Sequence, residues 1–300
     1  MLFDISKAHI EVLNDDLFTH KQVSVSVLRL DKIHPVVSGN KLFKLHYFLD
    51  EAVASAHRTI LTFGGPWSNH LAATAFACHT IGLKSIGIVR GEAPASLSFT
   101  LQQCMTYGMQ LKFISRQAYD LKEDPLFTNA LKKEFGECCI VPEGGYHPSG
   151  ASGAALIMEL AGNKKYSHTC TAVGTATTLA GLLTAAAPGQ TIVAVPVLKN
   201  MTDTNERIRY LAGITKGNLQ VLNDYHFGGY AKKNSELIQF MNECWIKYRL
   251  PLDFVYTAKM LYGVKDSIKH DCFPKGSDIL CLHTGGLQGN RSLPLKTLLF

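Results

Sequence analysis

From Thr59 onward the chain alternates short β-branched or apolar runs with longer amphipathic stretches, and this alternation restricts it to a layered α/β architecture built from βαβ units. Strands are expected over 59–63, 84–89, 109–114, 139–141, 169–173, 191–195 and 278–282. Helices are expected over 69–81, 97–107, 120–135, 154–161 and 178–186, and near 203–212, 234–249 and 258–269. An earlier helix opens at Lys41, with apolar positions at Leu42, Leu45, Phe48, Leu49, Ala52 and Val53. Strands joined through helices make largely parallel sheets, and such sheets bind ligands where a strand ends and a helix begins. The sharpest compositional break, Pro142 to Gly153, reads as a crossing between two lobes.

Composition narrows the function classes. At 300 residues, 46% hydrophobic and 18% charged, there is material for one large domain or two modest ones. The net charge of +6 is dispersed in pairs such as Lys132-Lys133, Lys164-Lys165 and Lys232-Lys233, not gathered as nucleic-acid binding needs. No apolar run is long enough to span a membrane, and Asp4 stands where a secretion signal would be basic. Eight cysteines without a Cys-x-x-Cys pair read as buried free thiols of a cytoplasmic protein. Twelve histidines show no ligand spacing, so no metal is expected.

Four turns could carry chemistry. Ser38-Gly39-Asn40-Lys41 puts a lysine in the first turn of a helix, where the partial positive charge of the N-terminus disfavours an ammonium. Lys41 is then either a neutral amine able to condense with an aldehyde or a solvated side chain. The segment from Phe63 to His70 offers Ser68 and Asn69 as helix caps or as polar site groups. Val173-Gly174-Thr175-Ala176-Thr177-Thr178 combines small residues, hydroxyls and a following helix, which suits one isolated phosphate; the P-loop and dinucleotide spacings are absent. Leu282-His283-Thr284-Gly285-Gly286 ends a strand in a hydroxyl and two glycines. Together these supply what pyridoxal 5′-phosphate (PLP) requires.

With Pro142-Glu143-Gly144-Gly145 and Val255-Tyr256-Thr257-Ala258-Lys259, these segments resemble the 1-aminocyclopropane-1-carboxylate (ACC) deaminase/D-cysteine desulfhydrase family, in family order from about residue 7 to the end. The resemblance implies the two-domain, open twisted parallel-sheet fold of the tryptophan synthase β-like, fold type II PLP enzymes, and a homodimer. The large PLP-binding domain would take 1–47 and 152–300, the small α/β domain 48–151. Lys41 would carry the cofactor, with Lys44 one turn on. Asn69 would meet the cofactor's phenolic oxygen, Gly174, Thr175, Ala176, Thr177 and Thr178 its phosphate, and Thr284 its pyridine nitrogen. Ser68, Asn69, His70, Tyr230 and Tyr256 would face a small amino-acid substrate, with Ser68 and Tyr256 joining Lys41 as catalytic residues. A neutral hydroxyl cannot hold a pyridine nitrogen protonated as a carboxylate would, which suits β-elimination over transamination.

Within the family, deaminases resemble Tyr-Glu at the substrate-side tyrosine and desulfhydrases Tyr-Thr. Thr257 therefore points to conversion of D-cysteine to pyruvate, sulfide and ammonia, with ACC deamination as the alternative. The rival outside enzymes is a non-catalytic PLP-binding protein, against which the retained Lys41, Ser68, Asn69 and Tyr256 speak. Three features depart from the family pattern. They are Ala176 in a loop that is richer in glycine elsewhere, the bulk of Trp67, and Tyr225 to Tyr230 in place of an aromatic Gly-Pro loop. Both Tyr225 and Tyr230 are candidate substrate-side phenols.

Overall fold

A computed structural model of the chain describes residues 4–34, 37, 39–55, 57–215 and 217–300; Ser38 of the lysine motif and the opening residues 1–3 lie outside the described residues. The chain begins β1 (Ile10–Val12), α1 (Asp16–His20), β2 (Ser24–Arg29), α2 (Lys41–Ala54). It continues β3 (Thr59–Gly64), α3 (Asn69–Thr80), β4 (Lys84–Arg90), α4 (Phe99–Thr106), β5 (Gln110–Ile114), α5 (Arg116–Tyr119), α6 (Pro125–Phe135), β6 (Cys139–Val141). The second half runs α7 (Pro148–Ala155), β7 (His168–Val173), α8 (Thr177–Ala185), β8 (Thr191–Pro196), α9 (Thr204–Ala212), β9 (Leu219–Val221), α10 (Ser235–Tyr248), α11 (Thr257–Lys269), β10 (Asp278–His283).

These strands form two sheets. A four-stranded parallel sheet has the order β5-β4-β3-β6, and a six-stranded sheet has the order β1-β2-β10-β7-β8-β9. Only β1 is antiparallel to its neighbour. On one face of the large sheet Leu28, Ile192, Leu280 and Leu282 pack under α2, α7, α8 and α9. On the other, Val25, Cys170, Val193 and Cys281 pack under α10 and α11. Burial on both faces is why these parallel strands read as unbroken apolar runs. The expected α/β, mainly parallel architecture is the one found.

Local differences have physical causes. The helix expected over 120–135 begins instead at Pro125, because Asp124 caps it by accepting from Leu126 N at 2.7 Å and proline suits the first helical position. Only the four-residue α5 precedes it. The glycine-rich crossing is itself helical from Pro148: α7 is wedged between α2 and α8. A Cβ on Gly153 would lie 2.0 Å from Phe43 O, and one on Gly181 of α8 would lie 2.4 Å from Ala151 O. Glycine here permits close helix approach rather than marking a linker. Strands β1, β2 and β9 were not anticipated, and α2 runs unbroken across positions 47 and 48.

Candidate active site

The site forms where β7 and β10 end and α2, α3 and α8 begin. Gly39, at φ +88°, lies so close to the β10 end that a Cβ would sit 1.9 Å from Thr284 O, an approach open only to glycine. Asn40 N donates to the same oxygen at 3.4 Å, so Lys41 is delivered next to Thr284. Lys41 Nζ donates to Asn40 Oδ1 at 2.9 Å, and Asn40 Nδ2 to Thr178 Oγ1 at 2.7 Å. The hydroxyls of Thr175 and Thr177 are 2.9 Å apart. One cleft is lined by Asn40, Lys41, Lys44, Asn69, Gly144, Gly174, Thr175, Ala176, Thr177, Thr178, Tyr256, Thr284 and Gly285.

Several features of this cleft call for an anionic, polar occupant. Ala176 opens α8 from a left-handed conformation, φ +64°, and no side chain caps that helix. Ser68, Ser98, Asp124 and Asn234 do cap α3, α4, α6 and α10. The first N–H groups of α8 are thus open to a phosphate. Lys44 is only 4% exposed, and its ammonium reaches Gly144 O at 3.0 Å and Thr175 Oγ1 at 3.5 Å without a carboxylate partner among the described residues. Burial, then the charge of Lys41, holds this amine well below the usual lysine range. An anion next to Thr175 is the countercharge it lacks. The side-chain oxygen of Asn69 is also buried without a protein partner, an acceptor that calls for a donor on the polar occupant.

Burial also lowers Lys41, to about 8, although Asp253 pulls the other way. Its Nζ lies 5.8 Å from the centroid of the Tyr256 ring, against which Gly174 packs: a Cβ on that glycine would be 3.3 Å from the ring. Burial, with the neighbouring Tyr230 phenol and the charges of Asp253 and Glu143, pushes the Tyr256 phenol well above its ordinary range. Tyr256 is therefore protonated at neutral pH. Its hydroxyl is 3.5 Å from that of Tyr230, with the rings T-shaped at 6.1 Å.

The other expected residues are placed differently. Ser68 Oγ caps α3, accepting from His70 N and Leu71 N at 3.2 Å each, and does not line the cleft. His70 is 2% exposed and turned toward β3, its Nε2 bonded to Thr62 Oγ1 at 2.9 Å. Burial and the two cleft lysines lower it to about 3, so it is neutral. Tyr225 turns away to Asp266, at 2.9 Å, whereas Tyr230 stands over Tyr256, which separates the two candidate phenols. Thr257 is fully buried. Its hydroxyl donates to Asp253 Oδ1 and accepts from Asp253 N, each at 2.8 Å. Asp253 also accepts from the N–H groups of Val255, Tyr256 and Thr257, fixing the start of α11.

Asn40, Asp253 and the anion-facing role of Lys44 were missed from sequence. The available signal for Lys44 was a lysine flanked by Phe43 and Leu45 in an apolar helix.

A low-pKa amine at a single-phosphate cradle, on the strand ends of an open parallel sheet, defines an enzyme built around a phosphorylated aldehyde cofactor. The chain belongs to the pyridoxal-phosphate dependent enzyme family, whose model matches residues 16–285, and its cofactor is PLP. It is 31% identical over 287 residues to a putative ACC deaminase of Thermotoga maritima, covering 89% of each chain. It is 30% identical over 281 residues to the bifunctional D-cysteine desulfhydrase/ACC deaminase of Arabidopsis thaliana, covering 84% of this chain and 70% of that protein. The crystal structure of an ACC deaminase homologue matches with a TM-score of 0.78 and 25% identity, covering 96% of this chain and 92% of the other. The fold is that of the fold type II PLP enzymes. Among the described residues no helix is long and apolar enough to cross a membrane.

Proposed function

We propose that this enzyme catalyses β-elimination from a small D-amino acid, taking D-cysteine to pyruvate, sulfide and ammonia. One observation carries the choice: no carboxylate lines the cleft among the described residues, the residue after Tyr256 being a buried threonine tied to Asp253. Bound PLP supplies the electron sink for chemistry at the substrate's α-carbon. The first turn of α8, Thr175, Thr177, Thr178 and Lys44 hold its phosphate, Asn69 its phenolic oxygen, and Thr284 its pyridine nitrogen.

Lys41 Nζ would hold the cofactor and, as the free amine, would take the α-proton. A pKa of about 8 leaves both its protonation states accessible near neutral pH. Tyr256 Oη, protonated, donates toward the leaving sulfur, with Tyr230 beside it. Division into a large domain, 1–47 and 152–300, and a small one, 48–151, is supported by the distribution of strands between the two sheets. A cytoplasmic location is supported by eight unpaired cysteines.

Ring opening of ACC is the second reading, favoured by the Tyr230–Tyr256 phenol pair, which can exchange protons at one point. Purified PLP-loaded protein should be offered D-cysteine, L-cysteine, D-serine and ACC in parallel, following sulfide, pyruvate and 2-oxobutyrate. Sulfide and pyruvate from D-cysteine, with little turnover of ACC, is the expected result. Efficient ACC turnover exchanges the two readings, and turnover of none of the four refutes both.

A further inference from the structure

Lys259 is a lysine with no solvent exposure and no role so far. It lies on the first turn of α11, three residues after Tyr256, and its Nζ donates to His226 O at 2.8 Å and Gly229 O at 2.7 Å. Burial lowers the amine to about 8 while Asp253 pulls it upward, so the ammonium form prevails at neutral pH. The two carbonyls belong to an unusual stretch of backbone: Phe227, Gly228, Gly229 and Ala231 all have positive φ, at 51°, 91°, 119° and 54°. Two of these are non-glycine residues in a conformation that costs free energy unless the surroundings enforce it. Within the turn, Gly229 N donates to His226 O and Lys232 N to Gly229 O, so each carbonyl that Lys259 takes is also a closing point of the turn.

Tyr230 follows directly. It is 54% exposed, and residues 231–236 after it are all exposed, so little besides the turn and Tyr256 fixes its ring.

We propose that Lys259 is a positioning residue: its ammonium gathers the carbonyls of His226 and Gly229, fixes the left-handed turn, and so holds the Tyr230 phenol against Tyr256. This rests on the assignment of Tyr256 to the substrate side. The lysine acts on the substrate wall of the cleft and not on the cofactor cradle, which Asn40, Lys44 and the α8 N-terminus form.

Lys259→Met keeps the aliphatic stem and removes the cation. The expected result is an unchanged visible PLP band and cofactor affinity, with kcat/KM on whichever amino acid the wild type turns over reduced about 10²-fold, the order expected for a displacement near 1 Å. Independently of any substrate, trypsin should cut at Lys232 or Lys233 about tenfold faster in this variant. In Lys259→Ala, ammonium or methylammonium should restore both slow cleavage and turnover. If Lys259→Met does not fold, Lys259→Arg, which keeps the charge and alters its reach, is read by the same assays. Wild-type cleavage rates in both variants overturn the proposal, as does loss of the PLP band in step with activity, which would make Lys259 a general support of the fold. An inactive wild type would remove the substrate assignment, while the cleavage and rescue results would still decide the role of Lys259.

Discussion

Replacing Thr257 with glutamate tests whether the residue after Tyr256 selects the reaction by facing the substrate. In this structure it does not: the side chain is fully buried and doubly bonded to Asp253. Thr257→Glu would put a second carboxylate against that of Asp253. Two such charges about 4 Å apart, at an effective dielectric near 20, repel by about 4 kcal/mol, enough to keep one of the pair protonated up to roughly pH 7. The larger side chain adds an overpacking cost of about 1–3 kcal/mol, and Asp253 N loses its acceptor. The expected outcome is a melting temperature lower by roughly 10 °C at pH 8, partly recovered at pH 5 as the extra carboxyl protonates. D-Cysteine turnover should fall through disorder at the start of α11, with no gain of ACC activity. Thr257→Ser, which keeps the hydroxyl, should behave as wild type. Calorimetry and parallel assays on the two substrates provide the check. A Thr257→Glu protein as stable as wild type, and opening ACC, would show that this side chain reaches the cleft and would refute the reasoning.

Thr178→Ala removes a cradle hydroxyl that also anchors Asn40, and PLP should be held roughly 10- to 100-fold more weakly in equilibrium dialysis; unchanged affinity would reduce the loop to an ordinary helix start. Lys44→Met should also weaken retention while borohydride still fixes the cofactor to Lys41, and label surviving in Lys41→Ala would exchange the roles of the two lysines. Because burial lowers Lys41 from 10.5 to about 8, its proton is lost as pH rises through about 8. The rate at which apo-protein captures PLP should therefore climb with pH and level off above about 8; a rise continuing to pH 10 would put the amine at its ordinary value.

Much of the fold was legible because parallel strands buried on both faces leave unmistakable apolar runs, and β3, β4, β7, β8 and β10 were found within a residue or so of their limits. Errors arose where one residue type serves two purposes. Glycines at 150 and 153 look like a linker by composition, yet a tertiary contact with α2 explains Gly153, and no local pattern encodes that contact. Lys41, Asn69, the 174–178 loop, Tyr256 and Thr284 line one cleft, and that grouping was legible because each occupies the end of a recognisable element. Ser68 and His70 lie in the same motif as Asn69, but the first caps α3 and the second turns toward β3, since neighbouring residues at a helix start point in different directions. Asn40 and Lys259 bond partners far along the chain, Thr178 and the 226–229 turn, and their contacts were invisible for that reason.

The position of β10 has a consequence for how the protein is made. The small sheet is complete once Val141 has emerged from the ribosome, but the large sheet is not: β10, near the end of the chain, must enter between β2 and β7. Until it does, both of those strands present unpaired apolar edges, the kind of surface that invites wrong pairing. Thr284, against which Gly39 and Asn40 pack, arrives with the same strand. Cofactor capture therefore waits for β10, and until that strand is placed the growing chain depends on folding assistance or speed rather than on PLP for protection.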